Sequence, residues 1–158
     1  MYSTQSALTN TEFSAAAISR QAELTEDSAP RLRVIGRRAL SRPDTESYIA
    51  QKFASSYGAT LREFLPYLLE LRTASGLGGA LGMRRAAPGQ TLFLERYLDE
   101  PAEGILGDLL ASPVERGSMV EIGNLVATWR GSSQMLFIAL AALIVQVGAE
   151  WAVFTATP

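Results

Sequence analysis

The 158-residue chain has no cysteine, which excludes disulfides, thiolate catalysis and cysteine metal sites. It has no histidine either. That removes Ser-His-Asp triads, imidazole general bases and the usual zinc ligands. Lysine is nearly absent: of the 14 basic residues all but Lys52 are arginine, a bias read as genome composition. No charge of one sign dominates, because the net charge is -2, and nothing points to nucleic acid as a partner. Long apolar runs are missing too. The longest, Met135 to Val145, falls well short of the roughly 20 residues of a membrane-spanning helix. The N-terminus lacks the basic segment and apolar core of a secretory signal, so a cytoplasmic location is expected. Any chemistry must come from carboxylates, hydroxyls, arginines and backbone amides, and no metal site is expected.

What is present is an ordinary globular balance, 47% apolar and 19% charged, enough for one domain with a sizeable core. The chain is organised around Val120 to Thr157. Val120-Glu121-Ile122-Gly123-Asn124-Leu125-Val126 reads as a strand and Thr128 to Ser133 as a polar turn. A helix from about Ser133 to Val147 and a strand over Trp151 to Thr155 complete the unit. Turns this short make the two strands parallel, with the helix crossing over them. A parallel pair needs cover on both faces, so the rest of the chain must build the sheet around it. Ligands of open α/β sheets sit outside the carboxyl ends of the strands, here at the turn carrying Arg130 and Gly131.

Upstream, residues 1 to 29 show no apolar periodicity and read as a mobile tail, with a helical turn around Glu12 to Arg20. Pro30 opens a domain over residues 30–158. Arg31 to Ile35 is a strand with Leu32 and Val34 inward, and the arginines at 31, 33, 37, 38 and 42 read as a solvated face. Ser41-Arg42-Pro43-Asp44 starts a helix that carries Ile49, Phe53 and Tyr57 along one side until Gly58 stops it. Leu65 to Leu71 and Leu77 to Met83 form an antiparallel pair turned at Ser75-Gly76. The glycines of the return strand leave a smooth surface for a packed helix or a ligand, the helix being the commoner cause. Pro101 opens a helix with Ile105, Leu109 and Leu110 at apolar positions, and Pro113 ends it. The resulting order is β-α-β-β-α-β-α-β.

Three segments, LFLERYLDEPAE (Leu92 to Glu103), VERGSMVEIGNLVAT (Val114 to Thr128) and WAVFTAT (Trp151 to Thr157), resemble the thermostable haemolysin family in content and spacing. The resemblance runs from about Arg31 to the end. It implies an α/β, GNAT-like fold with a mixed, mainly antiparallel sheet of about five strands, a β-α-β crossover and helices on both faces. That fold is shared with the acyl-homoserine-lactone synthases. Their Glu-x-Ser-Arg strand motif falls at Glu121 to Asn124, with asparagine where they have arginine. Members of the fold continue beyond the last strand, so the chain resembles a C-terminally truncated member. An acyltransferase tyrosine acid has no counterpart, and the open last strand is expected to promote self-association.

The resemblance implies an acyl-CoA or acyl-carrier protein as donor and a small-molecule acyl acceptor. The family's name implies instead a cytolytic, membrane-active protein, and a non-catalytic acyl-carrier-binding module is a third reading. Among candidate site residues, Glu121 shares a strand face with Met119 and Gly123. Poor hydration fits it to a general base, and an ion pair with Arg96 or Arg116 explains it equally well. Asn124 is a candidate orienting group, and satisfying a loop backbone explains it equally well. Gly123 marks a bulge or close approach, where the resemblance implies, with Leu125, a path for the pantetheine arm. Arg130, Gly131, Ser132 and Ser133 resemble a reduced pyrophosphate loop at a helix N-terminus, which an ordinary Gly-Ser helix start also explains. Glu95 and Arg96, with Asp99, form a charged cluster that reads as a salt-bridge set or a substrate contact.

Overall fold

The computed structural model describes residues 29–155. The expected tail lies, apart from residue 29, outside these residues. One sheet contains β1 (Arg31–Ile35), β2 (Tyr67–Thr73), β3 (Gly76–Arg85), β4 (Met119–Ala127) and β5 (Trp151–Phe154), in that spatial order. The first four strands pair antiparallel, and β4 and β5 pair parallel across the crossover helix. The helices are α1 (Arg42–Tyr57), α2 (Ala102–Leu110) and α3 (Arg130–Gln146). This is the mixed, mainly antiparallel α/β architecture expected, with the same element order.

Strand alternation divides the core between two faces. On one, Leu69, Leu71, Leu81, Val120 and Ile122 pack under Leu136 and Leu140 of α3. On the other, Ile35, Leu68, Ala80 and Val126 meet Ile49 of α1. Beside them Met119 and Val153 meet Ala102 of α2 and the loop residues Ala86 and Leu92. The glycines of β3 serve both faces. A methyl group at Gly79 would stand 2.9 Å from Leu136 Cδ1, so this glycine admits α3, while one at Gly82 would stand 2.7 Å from Asn124 Oδ1 on the opposite face.

Several local expectations change. Leu32 and Val34 are 40% and 43% exposed rather than inward. They face the α3 side from the edge strand, opposite Leu71 and Leu69, and α3 packs over β2, β3 and β4 instead. The arginines beside them are not all solvated. Arg33 pairs with Glu70 at 2.7 Å, and Arg42 is buried. Glu70 is itself fully buried. Burial raises its pKa, but hydrogen bonds from Arg72, Thr45 and Arg33 outweigh that and leave it lowered.

α1 ends as expected, with Gly58 left-handed at φ 61° and its amide on the carbonyl oxygens of Ala54 and Phe53. Ser41 precedes α1 without capping it through its side chain, because its own backbone is already helical. α2 turns inward with Ala102 and Leu106, while Leu109 and Leu110 are exposed. α3 begins three residues earlier than expected. The Ser132 hydroxyl donates to Trp129 O at 2.6 Å and accepts from Trp129 N at 3.3 Å, closing the first turn there.

Candidate functional site

The site is built around an irregularity in β4. Ala80 pairs with Val126 and Gly82 with Gly123, so Asn124 and Leu125 together stand opposite Leu81. This is a β-bulge with one extra residue on β4. Asn124 takes the strained position at φ 52°, which asparagine tolerates better than most residues. The bulge keeps Leu125 against α3 and Val126 against α1. On its other side β4 pairs parallel with β5, in a register that runs from Met119↔Trp151 to Ile122↔Phe154 among the described residues. Beyond Ile122 the described partner of β4 is β3, and the bulge bends the strand there.

A groove of about 910 Å³ opens on the α1 side over this bend, with Glu121, Ile122, Gly123 and Asn124 in its lining. One wall is the segment 60–66. Arg42 fixes it from within, its Nη1 and Nη2 donating to the carbonyl oxygens of Pro66 and Leu65, each at 2.7 Å. Asn124 fixes it from the floor. Its Oδ1 accepts the Leu65 amide at 3.0 Å, and its Nδ2 donates to Glu63 O at 3.4 Å. The opposite wall carries Thr91, Phe93 and Arg96, with the Arg96 guanidinium 5.1 Å from the Phe93 ring centre. This wall belongs to a loop closed by a one-turn helix over Leu94–Tyr97. Phe53 and Phe64 add apolar surface, and Arg37, Arg62 and Arg84 add cations.

Glu121 is 2% exposed. Its Oε2 accepts from Arg84 Nε at 2.7 Å, and Arg84 Nη2 also donates to Thr91 O. Its Oε1 accepts from the amides of Phe93 and Leu94. The partner is thus Arg84, directly across the strand pair, and not Arg96 or Arg116. Glu95 faces the other way. Its carboxylate accepts from Arg116 at 2.8 and 2.9 Å and from the amides of Leu92 and Ala102 at 2.7 and 3.0 Å. Hydrogen bonding to Arg116 is the chief reason its pKa falls from 4.5 to about 2, with burial opposing and the two amides assisting. Arg116 also holds Glu103 and the carbonyl oxygens of Ala87 and Gln90, and its own pKa is raised chiefly by Glu95. Glu95 therefore fastens the wall to α2, and Arg96 alone of that pair lines the groove.

The structure brings Glu121, Gly123, Asn124 and Arg96 into one groove. It does not bring Leu125 or Gly131 to Ser133 there. Leu125 packs toward α3. Ser132 is buried, its hydroxyl committed to Trp129. Gly131 lies beneath the Trp129 ring, with which any added methyl would collide. Sequence reading passed over Arg84, Phe93, Leu65 and Arg42. Only Arg84 left a signal, a charge ending an otherwise apolar, glycine-rich strand. Among the described residues no cluster of three or more metal-ligating side chains occurs, and no helix is long and apolar enough to cross a membrane.

A family model described as thermostable hemolysin matches residues 35–158. No curated protein matches the chain. Among solved structures, the crystal structure of the AHL synthase LasI is similar, with a TM-score of 0.56 and 12% identity. The similarity covers 81% of this chain and 72% of that one. At such identity the likeness is one of fold.

Proposed function

Because the chain belongs to the thermostable hemolysin family, we propose that it is a family member that binds an acyl thioester, on coenzyme A or an acyl-carrier protein, and transfers the acyl group to a small amine. The bulge at Asn124 and Leu125 carries this reading. It lies just past the last described β4–β5 pair, Ile122↔Phe154, where an extended amide-bearing arm would pair with the backbone of β4. The groove floor lies at the same place. In the transfer, the amine nitrogen forms a bond to the thioester carbonyl carbon, the carbon–sulfur bond breaks, and the amine proton leaves with the thiol or through a base. Glu121 is the candidate base and Asn124 the orienting group. Arg96 is the candidate contact for the acceptor. The first turn of α3, Arg130 to Ser133, outside the groove, is the candidate phosphate contact.

Calorimetry of the chain with coenzyme A, acyl-CoA esters and an acylated carrier protein tests the proposal. Binding of at least one donor is expected, and failure of all three classes removes it. A second reading of Glu121 is favoured by its own contacts: the carboxylate bridges Arg84 to the amides of Phe93 and Leu94, clamping the groove wall to the floor. Glu121→Gln separates the two readings. Lost turnover with an unchanged melting temperature supports the base, whereas a lowered melting temperature with proportionate activity supports the clamp.

A further inference from the structure

We infer that Leu65 is the gauge that sets how long an acyl chain the groove accepts, an inference that rests on the acyl-donor reading above. Leu65 is held at both ends of its backbone. Its amide donates to Asn124 Oδ1 at 3.0 Å and its carbonyl accepts from Arg42 Nη2 at 2.7 Å. Arg42 is anchored off the loop, because it is buried in α1 and its Nε donates to Glu46 Oε1 at 2.7 Å. The side chain is therefore fixed over the floor. It fills a cup made by two missing side chains: a methyl at Gly123 would stand 3.2 Å from Leu65 Cδ1, and one at Gly82 would stand 3.0 Å from Leu65 Cβ.

The chemistry around the cup is graded. Arg37, Arg62, Arg84 and Arg96 put cations along the groove, whereas the floor beside Leu65 is apolar at Ile122 and Gly123, with the adjacent Asn124 amide spent on Leu65 N and Glu63 O. An alkyl chain gains by running toward that apolar floor, about fourfold in affinity for each methylene buried. It stops gaining where Leu65 blocks the cup. Trimming Leu65 opens the glycine-floored space to further methylenes, and enlarging it closes space already used.

The test is calorimetry on the full 158-residue chain with straight-chain acyl-CoA esters from acetyl to dodecanoyl. In the unaltered protein affinity climbs about fourfold per methylene and then levels. In Leu65→Ala the levelling point moves to chains about two carbons longer, in Leu65→Phe it moves to shorter ones, and in the volume-conserving Leu65→Met it stays. Should Leu65→Ala fail to fold, Leu65→Val and Leu65→Phe bracket the residue in its place. An unmoved levelling point in the folded variants overturns the gauge and leaves the acyl-donor reading standing. No binding of any ester to the unaltered, folded protein overturns both.

Discussion

Replacing Glu95 by glutamine tests the electrostatic argument most directly, because it keeps the side chain's shape and removes its charge. The Glu95 side chain is 9% exposed and that of Arg116 14%, so solvent screens the pair little. A carboxylate moved from 4.5 to about 2 favours the folded state by roughly 3 kcal/mol, at about 1.36 kcal/mol for each pH unit. The sign follows from the direction. The folded state holds the proton less tightly than the unfolded one, so the contribution is complete above about pH 4.5. It fades as pH falls and is gone below about pH 2. Urea unfolding followed by circular dichroism, from about pH 7 to about pH 2, should show Glu95→Gln less stable by roughly 3 kcal/mol at neutrality. The two proteins should converge across the acid window. Glu70, whose pKa is also lowered, titrates in both and cancels in the difference. A gap that stays constant with pH, or no gap at neutrality, would refute the reasoning.

Two further substitutions probe the sheet. Asn124→Gly keeps the left-handed backbone and loses the hydrogen bonds to Leu65 and Glu63, for about 1–2 kcal/mol. Asn124→Ala loses the same bonds and adds about 1 kcal/mol of backbone strain, so equal denaturation midpoints for the two variants would contradict the strain argument. Gly79→Ala drives a methyl to 2.9 Å from Leu136 Cδ1 and 3.1 Å from the Val126 carbonyl oxygen. It should cost about 1–3 kcal/mol in urea unfolding, and a neutral result would mean that α3 packs less closely than described.

The parts of the fold legible in the sequence are those set by local rules. The apolar run at Met135 to Val145, the glycine at position 58 and the turn at Ser75-Gly76 each announce their element within a few residues, and the element order followed from them. What escaped depends on pairing between distant segments. Arg84 meets Glu121 across 37 positions, in a register that a bulge adjusts and periodicity does not encode. Leu32 and Val34 alternate like inward residues, yet inwardness needs a helix overhead, and β1 lies at the sheet's edge. Glu95 and Arg96 are adjacent letters with opposite destinations, because the one-turn helix at Leu94–Tyr97 points one toward Arg116 and the other into the groove. For the site, Glu121, Gly123 and Asn124 were legible as breaks in an apolar strand. The two loops that wall them, one with Leu65 and the other with Phe93, were not, because nothing local distinguishes them from any other connection.

The bulge in β4 also bears on how such a site arises and vanishes over generations. Deleting Asn124 would leave Gly123 followed by Leu125 and Val126, which in unbroken alternation still face α1, α3 and α1 in turn. Every core letter would keep its partner, and the bulge that shapes the groove floor would be gone. Fold and groove are thus separable by a single codon. Chain length at position 124 therefore governs the shape of the groove floor as much as the identity of any one side chain around it.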